Sequence, residues 1–217
     1  MVKMSRAPRI AIVDYQAGNV RSVQKALEKF GASPVITSDP DFIDEADGVV
    51  FPGQGACDSS MRNLREQGLE APLINSIAKG IPFLAVCIGL QLLLEDSDEG
   101  DEPGLGVIKG RVRSLPTGQK IPHMGWNQVH FNYTHPALDG VPNDSYFYFV
   151  HSYYADPEDP GIIAGTTSYG LDFCSAVAWD NVLAVQFHPE KSGSVGLQIY
   201  SNFAKLVESS MSKGSWR

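Results

Sequence analysis

The sequence predicts an α/β fold in one domain, in which helices cover both faces of a mostly parallel central sheet and antiparallel strands extend that sheet in the second half. Between residues 9 and 94, short apolar runs alternate with amphipathic helical segments, a pattern typical of parallel sheets. After Gly104 the apolar runs are shorter and little helix separates them, which favours antiparallel pairing. The length of 217 residues is sufficient for one domain with a full core.

The first half of the chain predicts strand, helix and strand in turn. Strands are expected at 9–15, 34–37, 48–51 and 81–86, and helices after Gly18 and at 69–79. The helix after Gly18 has one apolar face and ends at Gly31. That face is formed by Val20, Val23, Leu27 and Phe30.

The second half predicts shorter strands and one closing helix. Strand-like runs occupy 107–112, 127–131, 146–154, 162–167 and 173–179. A turn at 179–181 leads into a buried strand at 182–187, and a last amphipathic helix covers about 194–209. We place the domain at residues 9–209, between an N-terminal extension of residues 1–8 and a C-terminal tail of residues 210–217.

One cysteine stands where the apolar strand at 81–86 turns directly into an amphipathic helix. The small residues in Ala85-x-Cys87-x-Gly89 permit the strained strand-to-helix turn on which enzymes mount a nucleophile. Unpaired N–H groups and the helix dipole favour a thiolate at a helix start, so Cys87 is predicted to be exposed and reactive. The same segment also fits an inert core cysteine.

A histidine and a carboxylate follow the apolar strand at 182–187. Because the residue before a proline prefers an extended backbone, Glu190 can lie on the same side as His188 and orient its ring. His188 would then take the proton of Cys87, or hold the thiolate as an ion pair, and later protonate a leaving amine. The alternative is a solvated His-Pro-Glu turn.

A glycine loop at residues 52–55, Pro-Gly-Gln-Gly, follows the strand at 48–51. Its glycines permit backbone conformations that direct N–H groups into a cavity. The N–H of Ile88 and one from Gly53 or Gln54 would hold the oxyanion that forms when Cys87 attacks an acyl carbon. A tight turn without a catalytic role would have a similar sequence.

Composition argues against several kinds of partner and cofactor. The formal charge is −8 and Lys and Arg form no cluster, so no nucleic-acid partner is expected. The acidic run at 95–102 is interpreted as a solvated loop without chemistry. The three cysteines lack paired or zinc-ligand spacing, so we predict no disulfide framework, no metal site and no cofactor. With neither a secretion signal nor a long apolar stretch, the chain is expected in the cytoplasm, without a membrane partner.

Taken together, Cys87-Ile88-Gly89-Leu90-Gln91, His188-Pro189-Glu190 and the glycine loop resemble the class I (triad) glutamine amidotransferases. The resemblance implies that Cys87, His188 and Glu190 form a triad that releases ammonia from L-glutamine through a glutamyl thioester. It also implies a fold of that family and a substrate site made of Gly53, Gly55, Gln91, Ser152 and Tyr153. Gln91 lies one helical turn after the nucleophile and therefore on the same helix face.

Segments at 14–23, 122–127 and 149–153 are similar to the glutaminase subunit of imidazole glycerol phosphate synthase, and the resemblance spans about residues 9–207. It implies a heterodimer with a separate (β/α)₈-barrel cyclase, to which ammonia passes in histidine biosynthesis. The residues that resemble contacts with that partner are Trp126, Asn127, Tyr148 and Lys191. An aromatic residue inside a strand is nevertheless more often a core residue than an interface residue.

Four further residues bear on this resemblance. His123 and His151 are interpreted as core or network histidines rather than as triad members or ligands. Family members commonly have glycine where Gln16 stands and a small apolar residue where Gln54 stands. The larger amide side chain of Gln54 is expected to influence the orientation of the peptide group in the glycine loop.

Other functions fit parts of the pattern. Another class I glutaminase subunit, or a cysteine peptidase or amidase on the same fold, would use the same three residues. A binding or scaffold protein would keep the fold without the chemistry. Gln91 favours a glutaminase over a peptidase, and the complete triad argues against a scaffold.

Overall fold

The apolar runs of the first half form the parallel strands of the sheet. In the computed structural model, which describes residues 6–16, 19–132 and 134–212, these strands are β1 (Ile10–Val13), β2 (Pro34–Thr37), β3 (Gly48–Gly53) and β4 (Phe83–Cys87). β12 (Val182–Val185), from far along the chain, pairs parallel with β4. All of these strands except β2 are fully buried, as strands covered on both faces should be.

Helices fill the connections between these strands. They are α1 (Val20–Glu28), α2 (Pro40–Asp44), α3 (Cys57–Glu66), α4 (Glu70–Ala78), α5 (Ile88–Gln91) and α6 (Gly193–Ser212). α1 packs against α6, and α2 packs against α4. None of the helices in the described part of the chain combines the length and apolar character needed to cross a membrane.

Two helix predictions need correction. The helix after Cys87 is one turn long and all four residues of α5 are buried, so it is not amphipathic. Phe30 lies beyond the end of α1 and is 38% exposed, because the turn at Gly31 (φ 81°) carries the chain away from the sheet. The sequence analysis also missed α2 and α3, whose short apolar patterns lie within polar segments.

The second half forms the antiparallel strands. They are β5 (Asp96–Ser97), β6 (Gly110–Ser114), β7 (His123–Phe131), β8 (Ser145–His151), β9 (Tyr153–Pro157), β10 (Ile163–Ser168) and β11 (Asp172–Trp179). The run predicted as one strand at 146–154 is two strands, since the chain changes partners at Ser152: β8 pairs with β7, and β9 pairs with β6 and β11.

The strand order brings two distant parts of the chain together. Among the described residues the main path through the sheet is β2-β1-β3-β4-β12-β11-β10-β7-β8, with β5, β6 and β9 joined to one side. β4 and β12 are neighbours, so the residues that follow each of them meet at one edge of the sheet. Open α/β sheets bind ligands at such carboxyl ends.

Parts of the predicted terminal segments lie outside the described residues, namely 1–5 and 213–217, as do Ala17 and Gly18. The division into an extension, a domain and a tail stays a prediction.

Candidate active site

Cys87 occupies a strained turn at the end of β4. Its backbone has φ 56° and ψ −109°, a conformation that residues with side chains rarely adopt. Gly89 makes the turn possible, because a β-carbon there would lie 2.0 Å from the carbonyl oxygen of Phe51. This is the strand-to-helix geometry that the sequence predicts for a mounted nucleophile.

The thiol of Cys87 is less exposed than predicted. The residue is 3% exposed, because the outer strands and the loops cover the sheet edge where it stands. Its thiol forms part of the wall of a cavity of about 390 Å³, which gives access to it. The Nε2 of Gln186 donates to Sγ at 3.7 Å. A thiol in the wall of a cavity is shielded from bulk solvent while a small molecule can still reach it.

The wall of this cavity combines residues from both ends of the chain. The lining residues include Gln54, Glu99, Tyr148, His151, Tyr153 and His188. Ile88, Gly55, Gln91, Ser152 and Lys191, all predicted site residues, line it as well.

His188 and Glu190 are held together as the sequence predicts. The Nδ1 of His188 lies 2.9 Å from Oε1 of Glu190, and the two side chains are only 2% and 3% exposed. The backbone of His188 is extended (φ −104°, ψ 95°) before Pro189, which brings the carboxylate back to the ring. A solvated turn is therefore excluded.

Two residues that the sequence analysis did not single out support this carboxylate. The Nδ2 of Asn19 donates to Glu190 Oε1 at 3.3 Å, and the hydroxyl of Tyr200 donates to Oε2 at 3.4 Å. Asn19 precedes α1 and Tyr200 lies in α6, so only the packing of these two helices brings both residues to the carboxylate. No local sequence signal could have indicated this.

The imidazole of His188 is held in its charged form. Burial lowers the pKa of His188, but hydrogen bonding and charge interaction with Cys87 and Glu190 outweigh burial and raise it to about 10. Among the described residues, Nε2 makes no well-formed hydrogen bond, although the thiol lies close enough to affect its charge. The environment thus favours an imidazolium between a carboxylate and the sulfur.

The glycine loop lies beside Cys87. Gly53 is the last residue of β3 and stands opposite Cys87 in the register of β3 and β4. Gln54 lines the cavity, and Gly55 has φ +114°, which favours glycine. The structure therefore brings Gly53, Gln54 and Ile88 around the sulfur, while their role as oxyanion donors stays a prediction.

Gln91 reaches the cavity, but its amide already has protein partners. Its Nε2 donates to the carbonyl of Tyr153 at 2.8 Å and to Oε1 of Gln186 at 2.9 Å. Its Oε1 accepts from the thiol of Cys57 at 3.5 Å. Burial, together with the nearby carboxylate of Glu99, raises the pKa of Cys57 to about 12, so this second cysteine stays a neutral donor.

The position of Glu99 could not be predicted from the sequence. The acidic run at 95–102 was expected to be solvated, yet Glu99 lines the cavity and accepts a hydrogen bond at 2.7 Å from the backbone N–H of Cys57. The run folds back because β5 pairs with β6. An acidic residue in a charged loop gives no local signal of such a position.

The residues predicted to contact a partner lie on the outer strands β7 and β8. Trp126 is 56% exposed, contrary to the expectation for a strand aromatic, and its ring meets that of Tyr148 edge-on at 6.2 Å. The Nζ of Lys191 lies 5.8 Å above the Tyr148 ring. Asn127 is half-buried, and its side chain lies on the opposite face of β7, where it contacts His123 and Ser168. Three other large apolar side chains in or next to these strands are exposed: Ile121, Met124 and Tyr146.

Other predicted features of the chain have clear positions. His123 and His151 are buried and bonded to each other, as network histidines should be. The cysteines Cys57, Cys87 and Cys174 are all free thiols. In the described ranges, no group of three or more His, Cys, Asp or Glu residues is arranged to hold a metal ion.

Comparison with known proteins identifies the class to which this fold and site belong. A family model described as glutamine amidotransferase class-I matches residues 11–206. A solved structure of a putative GMP synthase component from Thermoplasma acidophilum has a TM-score of 0.74 at 18% identity, covering 96% of this chain and 98% of that one. PurLQS from Thermotoga maritima gives a TM-score of 0.73 at 17% identity, covering 92% and 99%. The chain belongs to the class I glutamine amidotransferases.

Curated relatives narrow this class further. The imidazole glycerol phosphate synthase subunit HisH of Dehalococcoides mccartyi is 49% identical over 199 residues, covering 91% of this chain and 97% of the relative. HisH of Nostoc punctiforme is 50% identical over 204 residues, with 92% and 97% covered. HisH of Nitrosomonas europaea is 51% identical over 207 residues, with 90% and 97% covered. Within its class, the chain is a member of this HisH family of glutaminase subunits in histidine biosynthesis.

Proposed function

We propose that this subunit hydrolyses L-glutamine through a triad of Cys87, His188 and Glu190, and that it passes the ammonia to a (β/α)₈-barrel cyclase with which it forms a heterodimer in the cytoplasm. The observation that most directly supports the triad is the buried 2.9 Å contact between His188 and Glu190. Both residues follow β12, and β12 pairs with β4, the strand that ends at Cys87. The imidazole, the carboxylate and the sulfur thus share one closed site.

The raised pKa of His188 supports an imidazolium in the starting state, and we propose that the sulfur beside it reacts as a thiolate. The thiolate of Cys87 attacks the side-chain carbonyl carbon of glutamine, and the carbonyl electron pair moves onto oxygen. When that pair returns, the C–N bond breaks, and the nitrogen takes a proton from His188 and leaves as ammonia. A glutamyl thioester remains on the sulfur.

Water then completes the cycle. Neutral His188 removes a proton from a water molecule, and the resulting hydroxide adds to the thioester carbon. The C–S bond breaks, which releases glutamate and restores the thiolate and the imidazolium. Glu190 orients the ring and stabilises its positive charge in both halves of the reaction.

Two backbone N–H groups are proposed to hold the oxyanion. Ile88 follows the nucleophile directly, and Gly53 stands across from Cys87 at the end of the adjacent strand. An N–H from Ile88 and one from Gly53 or Gln54 can approach the developing charge from two sides. Preorganised donors of this kind are worth about 10²- to 10³-fold in rate each.

Charge in the cavity favours an amino acid as substrate. Glu99 presents a carboxylate to the cavity that contains the thiol, and it can pair with the α-ammonium group of glutamine. Gln91, Ser152 and Tyr153 form further parts of the wall, with Gly55 at the loop. We propose that Gln91 acts chiefly by holding the carbonyl of Tyr153 in place, since its Nε2 is already donated there.

The exposed face of β7 and β8 supports the proposal of a partner. Trp126, Tyr148 and Lys191 form a connected group, and Tyr148 and Lys191 also line the cavity. Exposed aromatic residues are typical of the central part of protein interfaces. A partner seated over Trp126 and Lys191 would lie next to the cavity mouth, where ammonia is released.

Glutamate release by the purified chain, alone and with the barrel cyclase and its nucleotide, tests the function. We expect slow turnover alone and much faster turnover in the complex. Cys87→Ala should abolish turnover without preventing complex formation, while Cys174→Ala, which removes a buried thiol outside the cavity wall, should leave it intact. Appreciable turnover by Cys87→Ala would refute the triad, and equal rates with and without the cyclase would refute the coupling.

A further inference from the structure

Two buried histidines form a direct bridge between the outer strands and the cavity wall. The Nδ1 of His123 lies 2.9 Å from the Nε2 of His151. The Nδ1 of His151 in turn lies 2.8 Å from the carbonyl oxygen of Tyr153. His151 is a cavity residue, whereas His123 is behind it on β7. The mechanism described above uses neither imidazole.

The cavity end of this bridge determines which nitrogen carries each proton. A carbonyl oxygen can only accept, so the Nδ1 of His151 must donate to Tyr153. The same oxygen accepts from the Nε2 of Gln91 at 2.8 Å. In a neutral ring the Nε2 of His151 then has no proton and must accept, which requires that the Nδ1 of His123 donate to it.

The hydrogen bonds of Asn127, at the outer end of the bridge, independently indicate the same tautomer of His123. The backbone N–H of Gln128 donates to Oδ1 of Asn127 at 2.8 Å, and Nδ2 of Asn127 donates to the carbonyl of Ser168 at 3.0 Å. These two bonds fix the orientation of the amide. Its Nδ2 faces the Nε2 of His123 at 3.3 Å, so that nitrogen must be an acceptor. All bonds of the bridge therefore point from Asn127 toward Tyr153.

Packing holds both rings in this arrangement. The ring of His123 stacks between those of Phe149 and Tyr169, with centroids 4.8 Å and 4.0 Å away. Burial lowers the pKa of His123 to about 4 and that of His151 to about 3. Adding a proton to either ring would also place two N–H groups face to face. Both histidines are therefore neutral near pH 7.

We propose that His123 and His151 are positioning residues of the glutamine site, each fixed as the neutral Nδ1–H tautomer, and that they couple the position of Asn127 on β7 to the Tyr153 carbonyl, to which Gln91 also donates. This inference rests on the proposed function only in taking the cavity as the glutamine site. A partner that moves β7 would thereby alter the cavity wall without touching the substrate.

The Tyr153 carbonyl fixes the direction of these hydrogen bonds, so one isosteric change at the outer end should add a proton to His123 rather than reverse the bridge. Asn127→Asp places a carboxylate oxygen against Nε2 of His123, where only a donor can satisfy it. We expect the Nε2 of His123 to become protonated in this variant.

Nuclear magnetic resonance of ¹⁵N- and ¹³C-labelled histidine at neutral pH tests these assignments. In the unaltered chain, both rings should show the Nδ1–H tautomer, which is the minor form of free histidine. Asn127→Asp should change the signals of His123 and His151 together. An Nε2–H tautomer or an imidazolium at either position in the unaltered chain would overturn the proposal, as would unchanged His123 signals in the variant.

Kinetics of the assembled complex test the positioning role. His123→Phe keeps an aromatic ring between its neighbours but removes both hydrogen bonds. We expect KM for glutamine to rise about fivefold with kcat changed less than about twofold, the pattern of lost ground-state binding. His130→Phe is the matched control, because His130 lies exposed on the same strand, outside the bridge, and its KM should not change.

The outcomes distinguish this inference from the proposed function. If His123→Phe and Asn127→Asp both keep the original KM while Cys87→Ala is inactive, the bridge has no positioning role although the triad stands. If Cys87→Ala stays active, the proposed function fails whatever the histidines do. If His123→Phe does not fold, Asn127→Asp still provides both measurements, the histidine signals and KM, because Asn127 is only half-buried.

Discussion

The hydroxyl of Tyr15 occupies the space that a side chain at Gly53 would need. A β-carbon built on Gly53 would lie 2.1 Å from that oxygen and 3.0 Å from Cβ of Ile88. Tyr15 is fully buried, and its ring packs against Phe51 at 5.5 Å. Tyr15 thus packs against the end of β3, at the residue that lies opposite Cys87 in the sheet.

Gly53→Ala should therefore destabilise the protein and impair glutamine hydrolysis. We expect the free energy of unfolding to fall by about 1–3 kcal/mol, the usual effect of overpacking a rigid core. Urea denaturation measures this loss. Combining it with Tyr15→Phe removes the hydroxyl and should recover part of the stability. A double variant no more stable than Gly53→Ala would show that Tyr15 is not the obstacle.

Glu190→Gln should lower both the pKa of His188 and the rate. Interaction with Glu190 is one of the interactions that raise this pKa to about 10 against the effect of burial, so its loss shifts the pKa downward. We expect kcat to fall about 10²- to 10⁴-fold, because the imidazolium loses its orienting partner. An imidazole titration by nuclear magnetic resonance and a glutaminase assay measure the two effects.

Tyr200→Phe is the comparison for this change. It removes only the 3.4 Å hydrogen bond to the far oxygen of Glu190 and should reduce kcat much less. Equal effects of the two variants would mean that Glu190 acts through general packing rather than through His188.

Glu99→Gln should weaken glutamine binding. The change keeps the size of the side chain but removes the charge proposed to pair with the substrate ammonium group. We expect KM to rise about tenfold or more, since charge-assisted hydrogen bonds contribute about 1.5–3 kcal/mol. Steady-state kinetics measure this. Asp101→Asn, an exposed site in the same acidic segment, should leave KM unchanged, and a similar KM for both variants would remove Glu99 from the binding site.

Cys87→Gly should be more stable than Cys87→Ala. Both variants lose the thiol, but only glycine adopts φ 56° and ψ −109° without strain. We expect a difference of about 1 kcal/mol in the free energy of unfolding, measured in urea at one pH. A glycine variant less stable than the alanine variant would show that this turn is not strained.

The parallel half of the fold could be predicted from the sequence because its signals are local. Buried strands such as β1 and β4 are continuous apolar runs, and Cys87 and His188 each follow one of these runs. The ends of parallel strands share one edge of the sheet, so their meeting could be expected. The ion pair between His188 and Glu190 followed from three consecutive residues.

What could not be predicted depends on contacts between distant segments. Glu99 reaches the cavity through the pairing of β5 with β6, and Tyr200 reaches Glu190 from α6. The burial of Cys87 likewise reflects the covering strands rather than its own neighbours. The break at Ser152 was missed because apolar residues continue on both sides of it while the pairing partners change.

The neighbouring positions of β4 and β12 also impose an order on the assembly of the site. The turn that holds Cys87 is complete by Gly89, whereas His188 follows a strand much further along the chain that lies between β4 and β11. A ribosome-bound chain that stops before β12 has the cysteine but no base beside it. By the proposed mechanism, glutamine hydrolysis therefore requires that β12 has taken its place in the sheet.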